Sequence, residues 1–150
     1  MKKVLKSSLV FLLVFFNASN CSLVRQIRII KSGQIDQPLT QVISVPFQRY
    51  GHLLVVEASL NHNPKKYTFI LDTGAATVVI DPSVAKELNV PEITRVKAHG
   101  TTGAKIVPMG LLKNFQIAKN LSMTDVGVVL IDMDIIKRNI TGRKIDGYWE

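Results

Sequence analysis

The stretch FILDTGAATVVID, residues 69–81, constrains this chain more than any other. An apolar run, residues 69–71, and a β-type run, Thr77 to Ile80, flank Asp72-Thr73-Gly74 and two alanines. Both runs are too short for helices, and they are rich in β-branched or aromatic residues, so they read as strands. An Asp beside Gly at a strand end is commonly a turn carboxylate that bonds local backbone N–H groups. Buried between two apolar strands, however, a carboxylate costs several kcal/mol unless it is bonded or shared. The residues therefore pose a choice between a turn and a site.

The surrounding pattern is one of short strands. Residues 53–60, with Val55, Val56, Ala58 and Leu60, read as a strand, Asn61-His62-Asn63-Pro64 is turn chemistry, and residues 67–71 are a second run, which predicts a hairpin. Asp81-Pro82-Ser83 is the start signal of a short helix, with Val84, Ala85 and Leu88 on its apolar face and Asn89 at its end. Residues 93–98 and 104–107 flank the tight loop His99-Gly100-Thr101-Thr102-Gly103 and read as another hairpin. Strands are expected at 111–118 and 126–131, a short helix at 132–139, and the start of a further strand at 144–146. Many short strands with brief helices predict an all-β barrel or sandwich.

The residues around Asp72 resemble the active-site segment of the retropepsin-like aspartic proteases, whose pattern is apolar-apolar-Asp-Thr/Ser-Gly-Ala followed by an apolar strand. The likeness covers roughly residues 46–147, and secreted bacterial members share the layout. It implies a closed barrel with a flap hairpin and one or two short helices. It further implies that Asp72 is the catalytic aspartate and that Thr73 bonds across to its counterpart. Gly74 and Ala75 would fit the crowded turn, and Gly100, Thr101, Thr102 and Gly103 would form the flap tip. Such enzymes need two carboxylates and no cofactor or metal. Asp125, Asp132, Asp134 and Asp146 lack a following Thr-Gly or Ser-Gly. The expected enzyme is therefore a homodimer that pairs Asp72 with Asp72 and hydrolyses peptide bonds.

In the family, the segment matching Ile145-Asp146-Gly147 continues as apolar-apolar-Gly, a helix and a strand. This sequence runs Tyr148-Trp149-Glu150, so the expectation is a domain over 46–150 that lacks that helix and strand. The alternative function is a catalytically inactive, surface-anchored β domain that binds peptides or is a truncated remnant. A resemblance of LDTGAATVV to the phosphate hairpin of actin-like kinases and ATPases meets the objection that those folds are large and helix-rich.

Residues 1–21 have a basic start (Lys2, Lys3, Lys6), an apolar run over 9–16 and then small or polar residues. The run is far below the roughly 20 residues of a spanning helix, and the layout is that of a secretory signal. Cys21 is the only cysteine, which excludes an intrachain disulfide. It resembles the acceptor cysteine of a bacterial lipoprotein signal, with simple cleavage nearby as the alternative. The expected localisation is export across the inner membrane, to the periplasm or a lipid-anchored position on a membrane surface. Residues 22–45 are expected to form a linker and a first strand. The net charge of +8 falls to +5 without the three N-terminal lysines, and the remaining bases are scattered, which argues against nucleic-acid binding. His52, His62 and His99 are far apart in sequence and near turns, as solvated turn histidines would be.

Overall fold

The computed structural model describes residues 33–36, 42–75, 77–100, 103–119, 121–134 and 144–149. The strands in this region are β1 (Gln34–Ile35), β2 (Phe47–Tyr50), β3 (Leu53–Leu60), β4 (Tyr67–Leu71), β5 (Val78–Ile80), β6 (Glu92–Gly100), β7 (Gly103–Ala118), β8 (Leu121–Leu130) and β9 (Gly147–Trp149). One helix, α1 (Pro82–Glu87), follows β5. The expected all-β class is thus realised. Hydrogen-bonded pairing runs β8-β5-β9-β4-β3-β7, and β7 pairs again with β8, so six strands complete a circuit. β6 joins the free side of β7, β2 pairs with β3, and β1 pairs with β8.

The alternation in β3 explains its place. Val56, Ala58 and Leu60 enter the main core with Tyr67, Phe69, Ile80, Val84, Leu112, Phe115 and Val128. Val55 points to the other face, where it meets Ile70 and Ile145. Phe69 and Phe115 meet edge to face at 5.1 Å, and Trp149 lies 6.2 Å beyond Phe115. These aromatics bind β4, β7 and β9 together by burial of large apolar surfaces.

The turns follow local chemistry. Asn61 and His62 both have positive φ, 50° and 59°, and Asn63 N–H donates to the Leu60 carbonyl at 2.9 Å, which defines a type I′ turn. Gly51, at φ 60°, opens the two-residue connection from β2 to β3. At α1, the Asp81 carboxylate caps the helix by accepting from Ser83 N–H at 2.8 Å, and Pro82 occupies the first turn.

Several boundaries differ from expectation. The strands expected at 104–107 and 111–118 are one strand, β7, which runs through Pro108. Pro108 is tolerated because it faces only β6 there; pairing with β8 starts at the next residue, Met109. β8 begins at Leu121, before the expected 126, and Asp125 adopts φ 52° within it. The last strand begins at Gly147, not at 144, because residues 144–146 serve side-chain and backbone contacts outside the ladder. β2 was not expected as a strand at all. The helix expected at 132–139, the leader over 1–21 and the flap residues Thr101 and Thr102 lie wholly or mainly outside the described residues.

Candidate active site

Asp72 follows the last residue of β4. Its neighbourhood is set by β9, which lies between β4 and β5. β9 runs parallel to β4 (Phe69 opposite Gly147, Leu71 opposite Trp149) and antiparallel to β5 (Val79 opposite Tyr148). The strands before and after the triplet are therefore both anchored to the same third strand. Asp72 N–H donates to the Trp149 carbonyl at 2.9 Å, and Ala75 N–H donates to the Asp72 carbonyl at 3.1 Å. Gly74 N–H donates to Asp72 Oδ1 at 3.0 Å, so one carboxylate oxygen is oriented by its own turn.

Asp72, Thr73 and Gly74 are exposed, and Ala75 is half-buried. In the single chain the turn carries the carboxylate past the ends of its apolar strands and out to the surface, so Asp72 itself bears no burial cost there. A cavity of about 370 Å³ is lined by Asp72 and Thr73 with His52, Leu53, Ile70, Leu71 and Tyr148. Asp72 is the one carboxylate among these described lining residues. His52, expected as a solvated turn histidine, belongs to this cavity because the β2–β3 turn lies beside the end of β4. Nothing in its local sequence signals that proximity.

Tyr148 is half-buried. Burial, and then the negative charge of Asp72, push its phenol pKa up. Asp146 plays a structural part. Its buried carboxylate accepts from Thr68 N–H at 2.8 Å and pairs with Lys144 at 3.0 Å. Its backbone accepts from Asp81 N–H and donates to the Thr68 carbonyl, each at 2.8 Å. It is committed to holding β9 in place. Asp132 accepts from Asp134 N–H at 2.8 Å. Asp125, Asp132, Asp134 and Asp146 are all absent from the Asp72 cavity.

Gly100 pairs with Gly103 at the tip of the β6–β7 hairpin, where the flap was expected. Toward the tip the hairpin is solvent-facing, with Ile106 71% exposed. At its base Val96, Val107 and Met109 join a cluster that also contains Val79 and Tyr148, so packed side chains connect the hairpin to a wall of the Asp72 cavity. A larger groove, about 800 Å³, lies elsewhere among Phe47, Glu57, Lys66, Thr68, Lys119 and Lys144 and contains none of the triplet. The smaller cavity is the relevant one, because it holds the oriented carboxylate. Among the described residues no group of three or more His, Cys, Asp or Glu side chains is placed to hold a metal ion.

The model of the aspartyl protease family matches residues 56–148, most of the chain, including both strands around Asp72 and the Gly147 segment. The chain belongs to the aspartyl protease family, and the resemblance drawn from residues 69–81 is borne out. It is also similar to the crystal structure of a retropepsin-like aspartic protease from Rickettsia conorii, at 14% identity and a TM-score of 0.45, over 78% of this chain and 75% of that one. No curated protein matches the sequence.

Proposed function

We propose that this protein is an aspartic endopeptidase whose active site forms when two copies bring their Asp72 residues together. The observation that carries the proposal is the single carboxylate in the cavity. Asp72 is exposed, its Oδ1 is already oriented by Gly74 N–H, and among the described residues no second acid lines the space around it. A second copy supplies the missing acid by symmetry. Two carboxylates about 3 Å apart share one proton, since both cannot remain ionised. The ionised carboxylate takes a proton from a water molecule, which attacks the peptide carbonyl; the protonated one polarises that carbonyl. Thr73, exposed beside Asp72, meets its counterpart across the axis and braces the pair. The β6–β7 hairpin covers the bound peptide with its Gly100–Gly103 tip.

Substitution of Asp72 by Asn tests this reading. Asp72→Asn removes the acid while keeping the shape and the Gly74 contact. Cleavage of a peptide library is expected to fall to background, with thermal unfolding close to that of the unsubstituted protein. Persistent cleavage would overturn the assignment. Peptide binding without cleavage by the unsubstituted protein, at any concentration, would favour the non-catalytic β domain. Export through residues 1–21 and lipidation of Cys21 complete the proposal. Mass spectrometry of the mature N-terminus checks them, with an acylated Cys21 as the expected result.

A further inference from the structure

The groove of about 800 Å³ beside β2, β3 and β4 shares no lining residue with the Asp72 cavity. Its floor is the face of β3 and β4 turned away from the main core. The register there sets Val55 opposite Ile70 and Glu57 opposite Thr68, and Lys66 donates to Ser59 Oγ at 2.7 Å. The polarity of this face therefore changes along the strands. Val55 packs with Ile70 and Ile145 at one end, and Lys66 stands at the other. Val42 and Phe47, 98% and 60% exposed, add apolar surface to the lining. Lys119 and Lys144 line the same groove. Lys144 is paired with Asp146 at 3.0 Å. Lys66 bonds a neutral hydroxyl, and neither Lys66 nor Lys119 has a carboxylate partner among the described residues. The groove thus joins an apolar end to two uncompensated cations, which favours an anionic occupant with apolar parts.

Charge excludes the chain's own longer segments outside the described residues. Residues 1–32 and 135–143 carry Lys and Arg and no Asp or Glu, so the lysines repel them. The occupant is therefore another molecule. Glu57, exposed on the groove floor between the apolar end and Lys66, accepts hydrogen bonds from N–H or O–H groups and repels a phosphate. An extended peptide supplies backbone N–H donors for Glu57, carboxylates for Lys66 and Lys119, and apolar side chains for the Val55 end. A recessed floor also suits a chain laid along it better than a flat membrane surface. We propose that this groove binds an extended acidic segment of another protein. The site does not depend on the assignment of Asp72.

The test is fluorescence anisotropy with a fluorescein-labelled peptide in which leucines precede a run of glutamates, and with its counterpart carrying glutamine in place of glutamate. The full chain is used as Asp72→Asn, so that the probe stays intact. At low salt the glutamate peptide is expected to bind about tenfold more tightly than the glutamine peptide, and the gap should narrow as salt screens the lysines. Lys66→Gln combined with Lys119→Gln should lower affinity for the glutamate peptide about fivefold and leave the glutamine peptide nearly unchanged. Glutamine at position 66 can still donate to Ser59, so the fold is kept. Lys86→Gln combined with Lys113→Gln removes the same charge from exposed positions outside the groove and should change neither affinity. Equal affinity for the two peptides, or no loss from the Lys66 and Lys119 pair, overturns the proposal. Equal loss from both lysine pairs also overturns it, since attraction to net charge alone would explain that result. Binding to phosphatidylglycerol vesicles that needs Lys66 and Lys119, with no binding of either peptide, would overturn it in favour of a membrane-facing surface.

Discussion

At the scale of the residue, Gly147 is the most tightly enclosed of the described glycines. A Cβ there would collide with the Val79 carbonyl oxygen and come within 2.6 Å of Phe69 Cε1. The first obstacle is backbone, so it cannot rotate away. Gly147→Ala is expected to cost about 3 kcal/mol, the upper part of the overpacking range, or to prevent folding, as a urea midpoint will show. Asp81 has a different constraint. Burial acts to raise its carboxyl pKa, but hydrogen bonds from Ser83 and from Met133 N–H, with Lys144 nearby, hold it below the usual value. A lowered native pKa contributes stability above the unfolded value of about 3.9, and that stability is lost as pH falls through the native value. Asp81→Asn retains a capping oxygen but not the charge. It should be about 1 kcal/mol less stable at neutral pH, and the gap should close as pH falls through the lowered native pKa; unfolding curves at neutral pH and along an acid series check both.

At the scale of the element, the β3–β4 turn does more than reverse the chain. Asn61 Oδ1 accepts from Lys113 N–H at 2.8 Å and from Asn114 N–H at 3.3 Å, which ties the turn to β7. Asn61→Gly keeps the positive φ and loses these bonds, at an expected cost of about 1 kcal/mol. Asn61→Ala also strains the backbone and should cost about 1–2 kcal/mol more; thermal melts of the two variants separate the effects. Most elements were legible in the residues. The 53–60 and 67–71 runs pair as the expected hairpin, and Asp81, Pro82 and Asn89 bound α1 as their types suggest. β2 was not legible, because Phe47–Tyr50 are mainly exposed and carry no alternation for a sheet face to impose. β9 was misplaced by a few residues because its position depends on partners far along the chain.

At the scale of the whole molecule, the proposed site requires two chains. When monomer dominates, the dimer fraction per chain scales with concentration by mass action. Specific activity is then expected to fall about tenfold for each tenfold dilution below the dimer dissociation constant. Progress curves over a dilution series, with sedimentation velocity at the same concentrations, provide the check. A specific activity independent of dilution into the monomeric range would contradict the half-site.

What the sequence determined by itself was local: strands around Asp72-Thr73-Gly74, the turn and cap residues, and the family signature, each carried by neighbours a few positions apart. What only the tertiary structure decided was contact across distance. Thr68 and Asp146, 78 positions apart, bond directly, and β9 enters between the two strands that carry the triplet. That insertion brings Tyr148 to the cavity of Asp72, and the β2–β3 turn brings His52 there. Period and propensity describe which face of a strand is apolar. They do not specify which strand will lie beside it, because pairing is selected by the packing of the whole core.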